Sequence, residues 1–505
     1  MQLLNAPIRA YFGYREERIV SLYEHALETQ EKWFTFLIRN GLKTKFGHNF
    51  GFTPNMSYEA FQRNVPLQNY NALYPYIERI IKGEEYVLWN SKVEWIAKSS
   101  GTTQAKSKYI PVTNDSLKLN NYLSAKDSIT FYIELFPETE IFAGKGITLG
   151  GSIQQMEMET KLKCGDISAV LMENMPAIGE YLKAPSKEVL LNEDWNTKLR
   201  LIAKHTVDEN ITSISGVPSW MLLVLKEVLK ISGKNHLSEV WPNLELYFHG
   251  GVAFSPYREV YSKLLPDSVF YMNMYNASEG FFGFQDQRCC DDLLLLTDNG
   301  VFYEFLELDE KGTKKKQAIP LQEVKLHKNY ALIITTPAGL WRYEIGDTIM
   351  FTSLRPYRFK ITGRTTHFLN AFGEELVVDN ADKALAEACR QTGAVLSEYT
   401  AAPLFLETSE RKGKHQWLIE FTTQPDDIEK FREILDQTLK SLNSDYEAKR
   451  TGSLLLESPE IIIAPEGTFM KWLAKKNKLG GQYKVPRLQN DRGLMGEVFR
   501  VTSDK

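Results

Sequence analysis

Two unequal α/β domains are what this chain predicts: a large N-terminal domain of helix-covered β-sheets, then a smaller α+β C-terminal domain. Three observations lead there. The chain has 505 residues, more than one hydrophobic core supports. Short β-branched or aromatic runs that end in polar or glycine-rich turns alternate with longer amphipathic stretches. After a glycine-bearing segment the whole pattern restarts.

The first element is one long amphipathic helix over residues 14–40. Ile19, Leu22, Tyr23, Ala26, Leu27, Trp33, Phe34, Leu37 and Ile38 recur there at mostly helical spacing, and Asn40-Gly41 is a stop signal. Strands follow at "LELYFHGG" (244–251), "VFYMNMY" (269–275) and "YALIITT" (330–336), with a helix at "SWMLLVLKEVLK" (219–230) between them. The segment "FKITGRTTHFLNAFGEEL" (359–376) carries Gly363 and Gly373, which free the backbone to bend. We therefore divide the chain into domain 1–362, hinge 363–375 and domain 376–505. The second domain reads as a helix over 378–390, strands near 394–406 and 416–421, and a helix over 426–442. No internal repeat or low-complexity segment interrupts this order.

Composition narrows the function classes. Hydrophobic residues at 43% and charged residues at 25%, with 60 Lys+Arg against 64 Asp+Glu, describe an ordinary globular chain with no basic footprint for nucleic acid. The run Lys314, Lys315, Lys316 reads as a solvated turn. Cys164, Cys289, Cys290 and Cys389 match neither a paired metal motif nor a disulfide framework, which predicts a reducing cytoplasm. The N-terminus lacks a signal peptide's basic start and apolar core. No apolar run reaches the roughly 18 residues needed to span a bilayer.

Chemistry enters at "WIAKSSGTTQAKSKYIPVT" (95–113). Ser99, Ser100, Thr102 and Thr103 offer hydroxyls, and Gly101 lets successive backbone N–H groups converge on an anion, so phosphate is the expected guest. It is not a Walker loop, because the second glycine followed by Lys-Ser/Thr is missing. Lys106 and Lys108 could neutralise phosphate charge from the far side of the turn. On its own such a cluster is equally an ordinary turn.

Two acidic stretches bear on the choice. "MYNASEGFFGF" (274–284) puts Glu279 in a polar turn at the end of a strand, where open α/β sheets bind ligands. Its carboxylate suits magnesium that bridges substrate phosphates, or equally caps a helix. "LWRYEIGDTIMF" (340–351) reads as strand, tight turn, strand, with Asp347 just after Gly346. That carboxylate could accept from both hydroxyls of a ribose, or serve the turn alone. There is no Gly-x-Ser-x-Gly elbow and no HExxH site.

Taken in order, the loop, Tyr-x-x-Ser-Glu, Tyr-x-x-Gly-Asp and a glycine-bearing hinge resemble the acyl-adenylate-forming superfamily. Within it the chain resembles the Gretchen Hagen (auxin-responsive) acyl acid amido synthetases. "NGLKTKFG" (40–47), "FQRNVPLQNYNALYPYIERIIKGE" (61–84), "KSSGTT", "YNASEG", "WRYEIGD" and "GQYKVPR" (481–487) carry the resemblance across most of the chain. It implies that Ser99, Ser100, Gly101, Thr102, Thr103 and Lys108 bind the ATP phosphates. Glu279 would hold Mg2+. Gly250 and Gly251 of "HGG", with Tyr275, Ala277 and Ser278, would line the adenine site, and Asp347 and Arg364 the ribose. Lys484 would be carried to the α-phosphate by a mobile C-terminal domain. His249 reads equally as a core histidine. The sequence departs from the superfamily in Gln104, Ala105, Lys106 and Ser107 after the loop, and in Thr365-Thr366 at the hinge.

The implied activity is ATP- and Mg2+-dependent adenylation of a small carboxylic acid followed by acyl transfer to an amine, an amino acid first among candidates. Transfer to coenzyme A and a non-catalytic nucleotide-binding relative are the alternatives. Residues 120–136 and 215–220 are expected to wall the acid pocket.

Overall fold

The computed structural model describes residues 2–13, 15–99, 108–154, 156, 160–252, 254, 257–308, 314–315, 317–364, 368–369, 374, 376–405, 413–450, 456–476, 478–479 and 484–503. Its strands, in chain order, begin with β1 (Trp95–Ser99), β2 (Lys108–Val112), β3 (Lys145–Thr148), β4 (Ile153–Gln154) and β5 (Lys163–Gly165). Then come β6 (Ile211–Gly216), β7 (Leu246–Gly250), β8 (Phe270–Ala277), β9 (Gly280–Gln285) and β10 (Leu293–Leu295). The first domain finishes with β11 (Phe302–Glu307), β12 (Ile319–Pro320), β13 (Asn329–Thr335), β14 (Tyr343–Leu354) and β15 (Tyr357–Arg364). After these lie the short pair β16 (Phe368–Leu369) and β17 (Leu376–Val377), then β18 (Val395–Phe405), β19 (Gly413–Thr423) and β20 (Glu460–Ala464).

One 11-stranded sheet, ordered β12-β11-β13-β14-β15-β10-β9-β8-β7-β6-β3, organises the large domain. The end running β3, β6, β7, β8 is parallel, and from β8–β9 onward every pairing is antiparallel. The helices Trp195–Thr206 and Pro218–Ser232 cover the parallel end, as crossover connections require. A four-stranded sheet, β2-β1-β5-β4, stands beside it. The C-terminal domain has β18-β19-β20 packed under the helices Val378–Thr392 and Ile428–Leu442. Gly393, at φ 65°, ends the first helix, and Asp427 caps the second by accepting from the N–H groups of Glu429 and Lys430 at 2.9 and 3.1 Å.

Two local expectations are corrected. The helix expected over 14–40 is two helices, Glu16–Glu24 and Ala26–Gly41, broken at His25. The step lets one sequence serve two cores: Leu22 packs in the Phe131–Phe284 cluster, whereas Leu37 and Ile38 enter the cluster around Trp341. The strand–turn–strand expected over 340–351 is one continuous strand, β14. Ala331 pairs with Thr348 but Ile333 with Glu344, so β14 carries extra residues against β13. Gly346, at φ 95°, sits in that bulge beside Asp347.

The start of β14 is held firmly. Arg342, at φ 46°, occupies a conformation that costs an ordinary side chain on the order of 1–3 kcal/mol. Its buried guanidinium offsets this: it donates to Glu304 on β11 at 2.9 and 2.8 Å and to the Val65 carbonyl at 2.6 Å. The flanks of the 309–313 stretch form a hairpin bridge, Leu308 to Lys314, with Lys314 paired to Glu344 and Lys315 to Glu307. Lys316 lies outside the described residues.

A hydrophobic cluster crosses between the domains. Leu149, Tyr247, Phe254 and Tyr257 of the large domain share it with Val395, Leu418, Phe469, Val485 and Met495 of the small one.

Candidate active site

The carboxyl ends of the parallel strands are the usual ligand position in an open α/β sheet. Gly250, the last residue of β7, must be glycine, because a β-carbon there would collide with the Met274 carbonyl on β8. Gly251 turns away at φ 85°, and over it lies Lys484: a β-carbon at Gly251 would stand 3.1 Å from the lysine's Cε and 3.2 Å from its Nζ. The C-terminal domain thus brings Lys484 to the glycine turn of the large domain. His249 is a core histidine, buried and stacked on Phe254 at 4.2 Å. Burial, with the charge of Arg258, pushes its pKa down to about 3, so it is neutral.

One strand further on, Tyr275 donates to Asp347 Oδ2 at 2.6 Å, and both side chains are buried. The bulge at Gly346 offsets Asp347 in the ladder. On its other side Asp347 pairs through the backbone with Arg364 at the end of β15. The β8–β9 hairpin closes on Ala277 and Gly280, leaving Ser278 and Glu279 at its tip. Glu279 is only 8% exposed and lines a small pocket with Ser278, Val112, Ser116, Asn120 and Thr336. Asn120, from the π-helical turn Ser116–Asn121, accepts from the Phe281 N–H at 2.7 Å and donates to the Phe281 carbonyl at 3.0 Å. It thereby fixes the hairpin that carries Glu279. π-Helical turns recur at functional sites, but no spacing in the sequence announces this one.

Ser99 and Lys108 face each other across the mouth of the β1–β2 hairpin. Ser100, Gly101, Thr102, Thr103 and Lys106 lie outside the described residues. Lys108 Nζ is 3.4 Å from the Tyr343 hydroxyl and about 6 Å from two ring centres, 5.8 Å for Tyr70 and 5.9 Å for Tyr343. Because β2 also lends Pro111 and Val112 to the Glu279 pocket, and β14 carries both Tyr343 and Asp347, the strands that flank residues 100–107 and both acidic stretches share one neighbourhood. The oxygen set around Glu279 suits a hard cation. Among the described residues no cluster of three or more His, Cys, Asp or Glu forms a metal cage. Magnesium needs none, since it binds through one or two carboxylates plus substrate phosphates.

The turn after β3 is held by a buried pair of charged residues. Lys198, 2% exposed, donates to the carbonyls of Gly150 and Gly151 at 3.2 and 3.0 Å, and Asp166 accepts from the Ser152 N–H at 3.1 Å. Burial pushes Asp166 up to about 6 and Lys198 down to about 8. Both residues escape a sequence reading, since each looks like an ordinary helix-face or strand-end charge.

The open α/β sheet followed by a smaller C-terminal domain is the fold of solved acyl-adenylate-forming enzymes. 2-Hydroxyisobutyryl-CoA ligase in its postadenylation state shares it at a TM-score of 0.54, 12% identity, and coverage of 99% of this chain and 92% of that one. The likeness to the GH3.15 acyl acid amido synthetase is greater: TM-score 0.74, 18% identity, and 95% and 94% of the two chains. The chain belongs to the GH3 family, whose N-terminal, central and C-terminal domains match residues 15–270, 294–364 and 379–493. It is 23% identical to indole-3-acetic acid-amido synthetase GH3.3 of Arabidopsis thaliana, across 91% of this chain and 88% of that protein. It is 21% identical to 4-substituted benzoates-glutamate ligase GH3.12 of the same plant, across 94% of each.

Proposed function

We propose that this chain adenylates a small carboxylic acid with ATP and passes the acyl group to the amine of an amino acid. The observation that carries the reading is Lys484 over Gly251, next to the strand that supplies Tyr275 to Asp347. A carboxylate alone is a poor acyl donor, because an amine would have to expel oxide. In the first half-reaction a carboxylate oxygen bonds to the α-phosphorus, the bond to the β-phosphate oxygen breaks and pyrophosphate leaves. In the second, the amine nitrogen bonds to the acyl carbon, the carbon–oxygen bond to AMP breaks, and the amine's surplus proton goes to solvent.

Each side chain has a part in positioning and in offsetting charge. Ser99, Ser100, Gly101, Thr102, Thr103 and Lys108 belong to the phosphates. Gly250, Gly251, Tyr275, Ala277 and Ser278 face the base, and Asp347 with Arg364 the ribose. Lys484 stabilises charge at the α-phosphate. Glu279 would hold Mg2+, which when bound neutralises the triphosphate oxygens. Residues 363–375 act as the hinge between domains 1–362 and 376–505, moving Lys484 away between steps. The setting belongs to the same proposal: four free cysteines suit a reducing cytoplasm. No helix among the described residues is long and apolar enough to cross a membrane.

The test is a screen of carboxylic acids for ATP-dependent pyrophosphate release, beginning with indole-3-acetate and 4-hydroxybenzoate, then of amino acids against the best acid. Acid-dependent pyrophosphate and an amide product are expected. A thioester formed only when coenzyme A is supplied, or ATP breakdown indifferent to acid, would overturn the assignment.

A further inference from the structure

The segment bearing Lys484 is pinned to the C-terminal domain a few residues downstream. The Ala401 N–H donates to the Arg487 carbonyl at 2.8 Å, and the Thr400 hydroxyl to the Pro486 carbonyl at 2.8 Å, so residues 486–488 run beside β18. The Arg487 side chain is buried, paired with Glu398 and stacked over the Tyr399 ring at 4.4 Å. Its Nη2 reaches out of its own domain to the Tyr257 hydroxyl at 3.2 Å. That hydroxyl, on the large domain, donates in turn to the Ser397 carbonyl of β18 at 3.1 Å. One phenol therefore ties the large domain both to the strand that carries the lysine segment and to the arginine three residues after Lys484. The apolar contacts around Tyr257 tolerate sliding, whereas these two hydrogen bonds fix register.

We propose that Tyr257 and Arg487 are a positioning pair: their interdomain hydrogen bonds hold Lys484 at the Gly251 turn for adenylation and part when the small domain swings away. The inference rests on the adenylation reading for its chemistry, but its geometry does not depend on which acid is used. Neither residue touches the reacting atoms. Losing the pair costs alignment, so the loss falls on the half-reaction that uses Lys484.

Tyr257→Phe keeps the buried ring and removes only the hydroxyl. In the full-length variant, pyrophosphate exchange with ATP and indole-3-acetate is expected to fall on the order of tenfold, the worth of a hydrogen bond to a charged group. Amide formation from synthetic indole-3-acetyl adenylate should be unchanged, and small-angle X-ray scattering should show a more open chain than wild type. Arg487→Met, which strands Glu398, should reproduce the kinetic split while also lowering Tm. Equal losses in both half-reactions, or an unchanged scattering curve in Tyr257→Phe, would overturn the pair's role. Should wild type turn over no acid at all, the function proposed above fails and the scattering comparison still decides the pair.

Discussion

The two halves of the site are built differently. Tyr275 and Asp347 stand on strands of one sheet, joined by a buried 2.6 Å hydrogen bond and backed by the clasp of Arg342 on Glu304. Lys484 has no strand of its own. It reaches Gly251 from a segment fastened to the C-terminal sheet, with Tyr257 as its polar tie to the large domain. Under the proposed function, the contrast separates what is permanently assembled from what must arrive: nucleotide recognition would be set by the sheet, whereas charge stabilisation would depend on where a domain sits.

Substitutions can break that contrast. The largest effect is expected at the permanently assembled side: Glu279→Ala should abolish magnesium-dependent pyrophosphate release with the circular dichroism spectrum retained, and normal turnover would remove the residue from the site. Next, Lys484→Ala should slow adenylation by a factor on the order of 10²–10³, the scale of a single electrostatic donor, while transfer from a synthetic acyl-adenylate continues. Equal slowing of both steps would place the lysine in the permanent half instead. Asp347→Asn keeps the shape and removes the charge, so the KM for ATP should rise about tenfold with little change in kcat. A kcat loss without a KM change would contradict a recognition role.

The smallest effect on turnover is expected at Lys198 and Asp166, which take no part in the proposed chemistry. Burial raises Asp166 from 3.8 to about 6, so the stability tied to that group is full below about pH 4 and lost as pH rises through about 6. Burial lowers Lys198 from 10.5 to about 8, so stability is regained as pH climbs from about 8 toward 10.5. Between those limits both are charged and buried, and their contribution is at its lowest. The double variant Asp166→Asn with Lys198→Met should therefore gain most in Tm near neutral pH and least below about pH 4 and above about pH 10.5. A Tm difference independent of pH would show that the pair's charges do not matter. Lys198→Met alone, leaving Asp166 without its countercharge, should be destabilising at neutral pH.

Local pattern made much of this legible. The strands at 244–251, 269–275 and 330–336 and the C-terminal helices stand close to where periodicity puts them, because each buries an apolar face of fixed period. What escaped was what depends on a distant partner. Gly346 reads as a turn because glycine and aspartate favour turns, yet β13 and β15 flank it and convert the same backbone freedom into a bulge. The break at His25 follows from two cores that lie far apart in sequence. Tyr257 is 230 residues from Arg487, and no local rule marks a tyrosine as a tie between domains. Lys108, preferred for phosphate where the loop departs from the superfamily pattern, rests among Tyr70 and Tyr343.

The hydrophobic cluster that runs from Leu149 and Tyr247 through to Val485 and Met495 would make the proposed swing of the small domain a wetting event. Exposing those faces hydrates apolar surface, so opening carries a positive heat-capacity change and becomes harder or easier with temperature along a curve rather than a line. Turnover limited by that step would bend an Eyring plot even though the bond-making itself does not.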